Sequence, residues 1–339
     1  MARTEDPRTA PSVRWGIIGT GGIAAAFAGA VREHTRSQLV AVGSRHRDRA
    51  TRFATAHGIP TTHTSYRALV EDPQVDVVYV ATPHSEHREH ALLAIRAGKH
   101  VLVEKAFTRN AAEAREVLDA AREAGVFVME AMWTRFLPHV AALHQVIEAG
   151  EIGEVVHVQA DHGQWFAYDP QHRLYDPALA GGALLDLGVY PVSFAHMMLG
   201  KPDAITAVGA LTDTGVDGQV SMVLSYGERV QATLATTLWA RTPTTAFVSG
   251  TEGHVAVRGP FYAPTSFEVR RRDGRVWTFD QPSARGLQYE AAEVARQVAA
   301  GATESPLNTW QDTLEVMEVL DEVRRQVGVV YPGEPTGGE

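Results

Sequence analysis

Short runs made almost wholly of Val, Ile, Leu and Ala alternate with longer segments of helical period through the first third of the chain. The pattern predicts strands over Val13–Ile18, Gln38–Ser44, Val75–Ala81, His100–Glu104 and Phe127–Glu130. Between them it predicts helices over Ile23–Arg32, Asp48–His57, Ser85–Ala97 and Ala111–Ala124, with a short one near Ser65–Glu71. Strands apolar on both faces, separated by helices of this length, belong to a parallel sheet covered on each side. Past Glu130 the pattern changes. An aromatic and basic link, Ala131–Pro138, leads to a helix over His139–Ala149. Strand runs then follow over Val155–Ala160, Ala204–Leu211, Val220–Ser225, Val230–Thr237, Thr245–Ser249, Val255–Arg258, Phe267–Arg272 and Val276–Phe279. Val230–Thr237 alternates apolar and polar positions, the mark of an antiparallel strand with one open face. Helices are expected over Leu287–Ala300 and Asp312–Val327. The fold class is therefore α/β: a doubly wound parallel sheet over 12–131, then an α+β domain over 132–330 with a large, mainly antiparallel open sheet.

Composition narrows this picture. At 339 residues the chain has room for about two domains with real cores. A net charge of −9 argues against a nucleic-acid or anionic-membrane surface. The absence of cysteine excludes a disulfide framework, a thiolate nucleophile and zinc–sulfur sites. Met1–Ser12 is polar without the apolar core of a signal peptide, and no run approaching ~20 apolar residues is evident, so the expected location is cytoplasmic. An open sheet face of this size needs a cover, which predicts a homodimer or homotetramer.

Candidate chemistry lies at strand ends, because parallel sheets bind ligands beyond the carboxyl ends of their strands. The first strand runs into Gly19-x-Gly21-x-x-Ala24, a dinucleotide-binding turn of the Rossmann type. Gly19 permits the tight turn, Gly21 the approach of backbone N–H groups to a pyrophosphate, and Ala24 close helix–strand packing. Gly19, Thr20, Gly21, Gly22 and Ile23 are thus cofactor-binding candidates. The second strand ends Ser44-Arg45-His46-Arg47 where an NAD enzyme usually carries an acid. A hydroxyl and a guanidinium suit a 2′-phosphate, so NADP is the expected cofactor, with NAD second.

Thr82-Pro83-His84-Ser85-Glu86-His87 begins the next helix. His84, His87 and His90 recur at intervals of three, but no zinc-hydrolase pattern accompanies them, so no metal is assigned. Thr82, Pro83, His84 and His87 are read as a solvated or nicotinamide-facing helix start. A buried strand ending in Glu104-Lys105 needs partners or work for its charges. Lys105 could reach cofactor and substrate, and its cation would favour an alkoxide forming during hydride loss. In the second half, Asp186 and Tyr190 stand at i and i+4 in an apolar helix, so both share one face. An acid and a phenol together in an apolar helix fit proton transfer and hydroxyl orientation, with a buried hydrogen-bonded pair as the alternative. Two readings also fit Trp133: core, or stacking on a substrate face. The loop holding Gln164, Trp165, Phe166, Tyr168, His172, Arg173 and Tyr175 either lines a pocket or packs on the surface. His162 reads first as structural.

These motifs together, with Ala97-Gly98-Lys99-His100-Val101-Leu102-Val103-Glu104-Lys105, resemble the Gfo/Idh/MocA oxidoreductase family. Two further strings, Glu130-Ala-Met-Trp-Thr-Arg-Phe-x-Pro138 and Gly181-Gly-Ala-Leu-x-Asp-x-Gly-x-Tyr190, resemble its dihydrodiol dehydrogenase and NADP-dependent D-xylose dehydrogenase branch. Where the family has Glu-Lys-Pro this chain has Ala106, which removes a φ restraint. The resemblance implies a catalytic Lys105, with Tyr190 as acid/base and Asp186 orienting substrate or lysine. Trp133, Arg135, Trp165, Phe166 and Arg173 become substrate candidates. The implied reaction is hydride transfer between nicotinamide and a CH–OH group of a sugar, polyol or vicinal diol. Glycoside cleavage by transient oxidation and cofactor sensing without chemistry are the alternatives.

Overall fold

The computed structural model describes Thr4–Asp280 and Arg285–Glu334. Its first elements are β1 (Arg14–Ile18), α1 (Gly22–His34), β2 (Gln38–Gly43), α2 (Arg47–His57), β3 (Thr61–His63), α3 (Tyr66–Val70), β4 (Val77–Val80), α4 (His87–Arg96), β5 (His100–Glu104), α5 (Ala111–Ala124) and β6 (Val128–Ala131). The six strands pair in the order β3-β2-β1-β4-β5-β6, all parallel. Each helix boundary has a local cause. Asn110 accepts from the Glu113 N–H to start α5, and Gly125, left-handed at φ 64°, ends it. β3 is the one strand of this sheet that the hydrophobic pattern missed, since three residues are too few to display a period.

There follow α6 (Pro138–Glu148), β7 (Val155–Gly163), α7 (Val189–Leu199), β8 (Ala204–Leu211), β9 (Asp217–Tyr226), β10 (Val230–Thr237), β11 (Ala246–Gly250), β12 (Gly253–Val257), β13 (Phe267–Arg271) and β14 (Val276–Phe279). The eight strands order as β14-β13-β12-β11-β7-β10-β9-β8. All neighbours are antiparallel except β7 and β10, which run parallel. α7 packs on β7 and β10. The chain closes with α8 (Leu287–Ala299) and α9 (Trp310–Val327). The helical segment Pro177–Leu199 is in fact long and apolar enough to span a membrane, with mean hydropathy 1.4, a run the sequence reading passed over. It is 89% buried inside the protein, as the central helix of a folded core is.

The chain forms two compact units. One comprises Glu5–Phe136 and Arg285–Leu314; the other holds the described residues of 137–284 and 315–339. The first unit thus joins an N-terminal run ending at Phe136 to the later segment Arg285–Leu314. α8 belongs with the parallel sheet. Leu287, Ala291, Ala292, Val294 and Ala295 join Trp15, Phe27, Ala28 and Val31 in one buried cluster. Burial of that apolar face decides where α8 sits, at about 25 cal/mol for each Å² removed from water.

Candidate active site

In the first unit, Gly19 adopts φ +109°, and a Cβ there would lie 2.5 Å from the Ala81 oxygen, so glycine alone fits. Its N–H donates to the Gly43 oxygen at 3.2 Å, tying the turn to the end of β2. Gly21 is extended and supplies no side-chain cap to α1. A Cβ on Gly21 or Gly22 would meet no atom of the described residues within 4 Å. The leading N–H groups of α1 therefore face open space at the positive end of a helix, a cradle that fits a pyrophosphate. Thr20 is half-buried and Ile23 exposed beside it, while Ala24 is packed into the core.

Ser44 is buried at the end of β2, and its Oγ accepts from the His46 N–H at 3.2 Å. Arg45 is exposed and hydrogen-bonds Tyr66, whose phenol burial pushes up. The first acid beyond this strand end is Asp48, already inside α2. At the next strand end Thr82 Oγ1 lies 3.0 Å from His90 Nδ1, and burial lowers His90 to about 4, so its ring is neutral near pH 7. Pro83 is extended and leads into a single 3-10 turn, His84–Glu86. His87 is wholly buried, with Nδ1 2.9 Å from the Ala106 oxygen and Nε2 2.8 Å from the Thr82 oxygen. It ties two loops together, with His84 edge-on against it at 5.6 Å. Burial lowers the His87 pKa, so the ring is neutral and donates to one carbonyl at a time.

Glu104 ends β5 buried, accepting from the Tyr79 hydroxyl and from the Lys105 N–H at 3.2 Å. Lys105 is half-buried at this edge, and its peptide bond to Ala106 is cis. Glu130 of β6 accepts from the Phe107 N–H at 3.1 Å, and burial pushes its carboxyl up to about 7 against the pull of Arg135. The Arg135 side chain is only 6% exposed and sits 3.6 Å from Asp312, so its charge is held inside this unit. Trp133 packs partly buried against the cluster that includes Phe27 and Phe136. Both residues were expected to touch substrate; here each is seated in its own unit's packing.

In the second unit, Leu184–Gly188 forms a π turn that runs directly into α7. Such turns are uncommon and frequent at functional sites. Asp186 is 7% exposed and receives a two-pronged contact from Arg173, at 2.9 and 3.3 Å. Tyr190, 8% exposed, stacks on Tyr262 at 4.5 Å between ring centroids. His162 packs against both rings, at 5.5 and 4.5 Å, with Nε2 3.0 Å from the Gln164 amide nitrogen. The structure thus assembles Asp186, Tyr190, His162 and Gln164 around Tyr262, with Arg173 on Asp186. Phe166 packs against Leu174, Tyr175 and Leu238, and Trp165 stands 67% exposed.

Three residues escaped the sequence reading. Tyr262 lies in the turn between β12 and β13, after the cis Gly259–Pro260 bond. Its phenol is pushed up by burial, with Gln164 as hydrogen-bond partner. Asp217 opens β9 fully buried, and Glu290 of α8 is buried with neither carboxyl oxygen hydrogen-bonded among the described residues. None of the three carried a local signal: Tyr262 sits in a turn, Asp217 follows the polar stretch Thr212–Gly215, and Glu290 shares its helix with Glu293.

Residues 13–132 match the family described as the oxidoreductase family, NAD-binding Rossmann fold. Residues 140–256 match the GFO/IDH/MocA C-terminal domain. The chain is 40% identical to trans-1,2-dihydrobenzene-1,2-diol dehydrogenase of Sus scrofa, across 95% of this chain and 98% of that protein. The Homo sapiens protein of the same name is 37% identical over 95% and 98%. Among solved structures, a 3-ketoreductase from Actinomadura kijaniata in complex with NADP and TDP-benzene is 29% identical with TM-score 0.85, covering 93% and 98%. An aldose-aldose oxidoreductase from Caulobacter crescentus is 26% identical with TM-score 0.82, covering 94% and 98%. Strand order, glycine turn and whole-length similarity agree: this chain belongs to the Gfo/Idh/MocA family of oxidoreductases.

Proposed function

We propose that the protein is an NADP-dependent dehydrogenase that moves hydride between nicotinamide and a CH–OH carbon of a vicinal diol, sugar or polyol. The observation that carries this reading is Lys105: a half-buried amine at the carboxyl edge of a parallel sheet, the edge where such sheets bind ligands. Glu104 anchors its backbone N–H, and His87 anchors the peptide that follows. The relatives named as diol dehydrogenases and the NADP-bound ketoreductase support the reaction and the cofactor.

Gly19–Ile23 would hold the pyrophosphate, and Ser44 with Arg45 the 2′-phosphate, with no acid at that strand end to repel it. When bound, the nicotinamide supplies a hydride acceptor. Lys105 favours negative charge on the substrate oxygen as its proton leaves. Tyr190 takes that proton, and Asp186, fixed by Arg173, orients the hydroxyl. The assignment of vicinal diols ahead of sugars follows the relatives of greater identity.

The test is formation of reduced nicotinamide, with NADP and NAD in parallel, on trans-1,2-dihydrobenzene-1,2-diol, aldoses and inositols. Turnover with NADP is expected, and Lys105→Met lowers kcat/KM about 10³-fold while NADPH binding persists. Glycoside turnover without net reduction, or cofactor binding with no turnover on any compound, overturns the reading. So does a Lys105→Met variant with near wild-type activity.

A further inference from the structure

The π turn that carries Asp186 does not hold itself in place. It opens at Gly181–Gly182, where neither residue has room for a side chain. A Cβ on Gly181 would lie 2.7 Å from the Arg173 and Leu174 oxygens, and one on Gly182 would lie 2.3 Å from Asp217 Oδ1. Gly182 donates to the Leu174 oxygen at 2.8 Å. The next free N–H of the turn, that of Leu184, donates to Asp217 Oδ2 at 2.6 Å. Thr236 of β10 reaches the Ala183 oxygen from another side at 3.4 Å.

Asp217 belongs to β9, far from the turn in sequence, and is fully buried. Among the described residues Oδ1 makes no hydrogen bond of full geometry, and it packs where the Gly182 side chain would stand. A buried acid is costly, and burial pushes this carboxyl up to about 7 against the pull of nearby backbone N–H groups and Arg324. A neutral apolar residue would fill the space at lower cost. The cost is offset by what Asp217 gives the turn, where the backbone N–H groups of Leu184 and Ala183 both favour its charged form. The same turn is fastened from behind by the last described segment. The Tyr331 hydroxyl donates to the Gly181 oxygen at 2.6 Å. Arg324 lies over the Tyr331 ring at 4.7 Å and grips Glu334 at 2.8 and 3.0 Å.

We propose that Asp217 is a positioning residue for the reaction, holding the first turn of the helix that presents Asp186 and Tyr190. The role of Asp186 and Tyr190 rests on the function proposed above; the ordering of the turn does not. Asp217 acts on the start of the helix, two residues before Asp186, and touches neither substrate nor cofactor.

The experiment compares full-length wild type, Asp217→Ala, Asp217→Ser and Asp217→Asn. Amide hydrogen exchange is followed by peptide across Gly182–Tyr190, with NADPH binding and kcat and KM on trans-1,2-dihydrobenzene-1,2-diol. Asp217→Ala should raise exchange in Gly182–Tyr190 about tenfold and lower kcat by a similar factor, leaving NADPH binding unchanged. Asn reaches Leu184 N–H and should restore most of both; Ser, one atom shorter, should not. Unchanged exchange in that peptide for Ala and Ser overturns the proposal. Exchange raised equally throughout β8, β9 and β10 also overturns it, because Asp217 would then be a general core residue. If Ala does not fold, the Ser–Asn pair makes the same comparison. If the diol is not turned over at all, the exchange result still decides, so failure of the proposed reaction and of this assignment are separable.

Discussion

The proposed 2′-phosphate contact makes cofactor choice depend on Arg45. It stands exposed one position beyond the buried Ser44, with its guanidinium close enough to bond Tyr66. A guanidinium forks onto a phosphate but gains little from a ribose hydroxyl. Arg45→Ala should therefore raise KM for NADP about tenfold and leave KM for NAD nearly unchanged, as parallel titrations of the two cofactors would show. Equal loss for both cofactors would assign Arg45 to packing. At this scale the glycine turn was legible because its backbone requires glycine, and Ser44, Arg45, Lys105, Asp186 and Tyr190 stood out as candidates because a strand end or an apolar helix does not need polar side chains to fold. Tyr262 was not legible. Its place beside Tyr190 depends on β12 and β13 returning a distant loop, and a Tyr in a turn carries no local anomaly. His87 was legible as a notable residue, but its burial between two carbonyls was not, since that depends on where β5 ends.

At the scale of elements, α8 is the informative piece. Its helical period was plain, yet period shows which face is buried and not which partner buries it. The partner is the Phe27 cluster, and the helix carries Glu290 into it with no hydrogen bond to either carboxyl oxygen among the described residues. Burial, together with Glu104 and Glu130, raises the Glu290 carboxyl well above its ordinary range. The surrounding charges are Glu104 and Lys105 from the β5 edge, Glu130 from β6, and Arg135 with Asp312 beyond. An acid whose folded pKa is raised keeps its proton in the native state while the unfolded chain has lost it. Its stabilising share is whole below about 4.5 and is lost as pH rises toward the native value. Glu290→Gln keeps the shape and removes the titration. Its stability advantage over wild type should be small at pH 5 and widen toward pH 8, by as much as about 1.4 kcal/mol per pH unit. Urea unfolding at the two pH values measures this; a constant difference would mean that Glu290 ionises normally.

For the whole molecule, the open face of the eight-stranded sheet sets the expectation of self-association. Phe247 pairs across to Gln159, then Thr233, Val223 and Thr206, which places Val208 on the same face two residues further along β8. Phe247 and Val208 are exposed, at 36% and 68%, and Phe247 stacks on His254. A second copy of this chain would cover that face. Sedimentation velocity should report a species of about twice 36.8 kDa, reduced to the monomer mass by Phe247→Asp. A wild-type monomer at micromolar concentration would refute this.

The return of Arg285–Leu314 to the first unit has a consequence for how the protein is made. On the ribosome, residues 5–136 leave the exit tunnel with every strand of the parallel sheet but without the helix that seals Phe27 and Val31. That apolar face stays open to water while all eight strands of the other sheet are translated. The first unit cannot complete its core until Arg285–Leu314 has been synthesised, after all eight strands of the other sheet and before the rest of α9. Over that interval the uncovered α1 face is the chain's point of greatest exposure to misassembly, and the natural place for a chaperone to hold it.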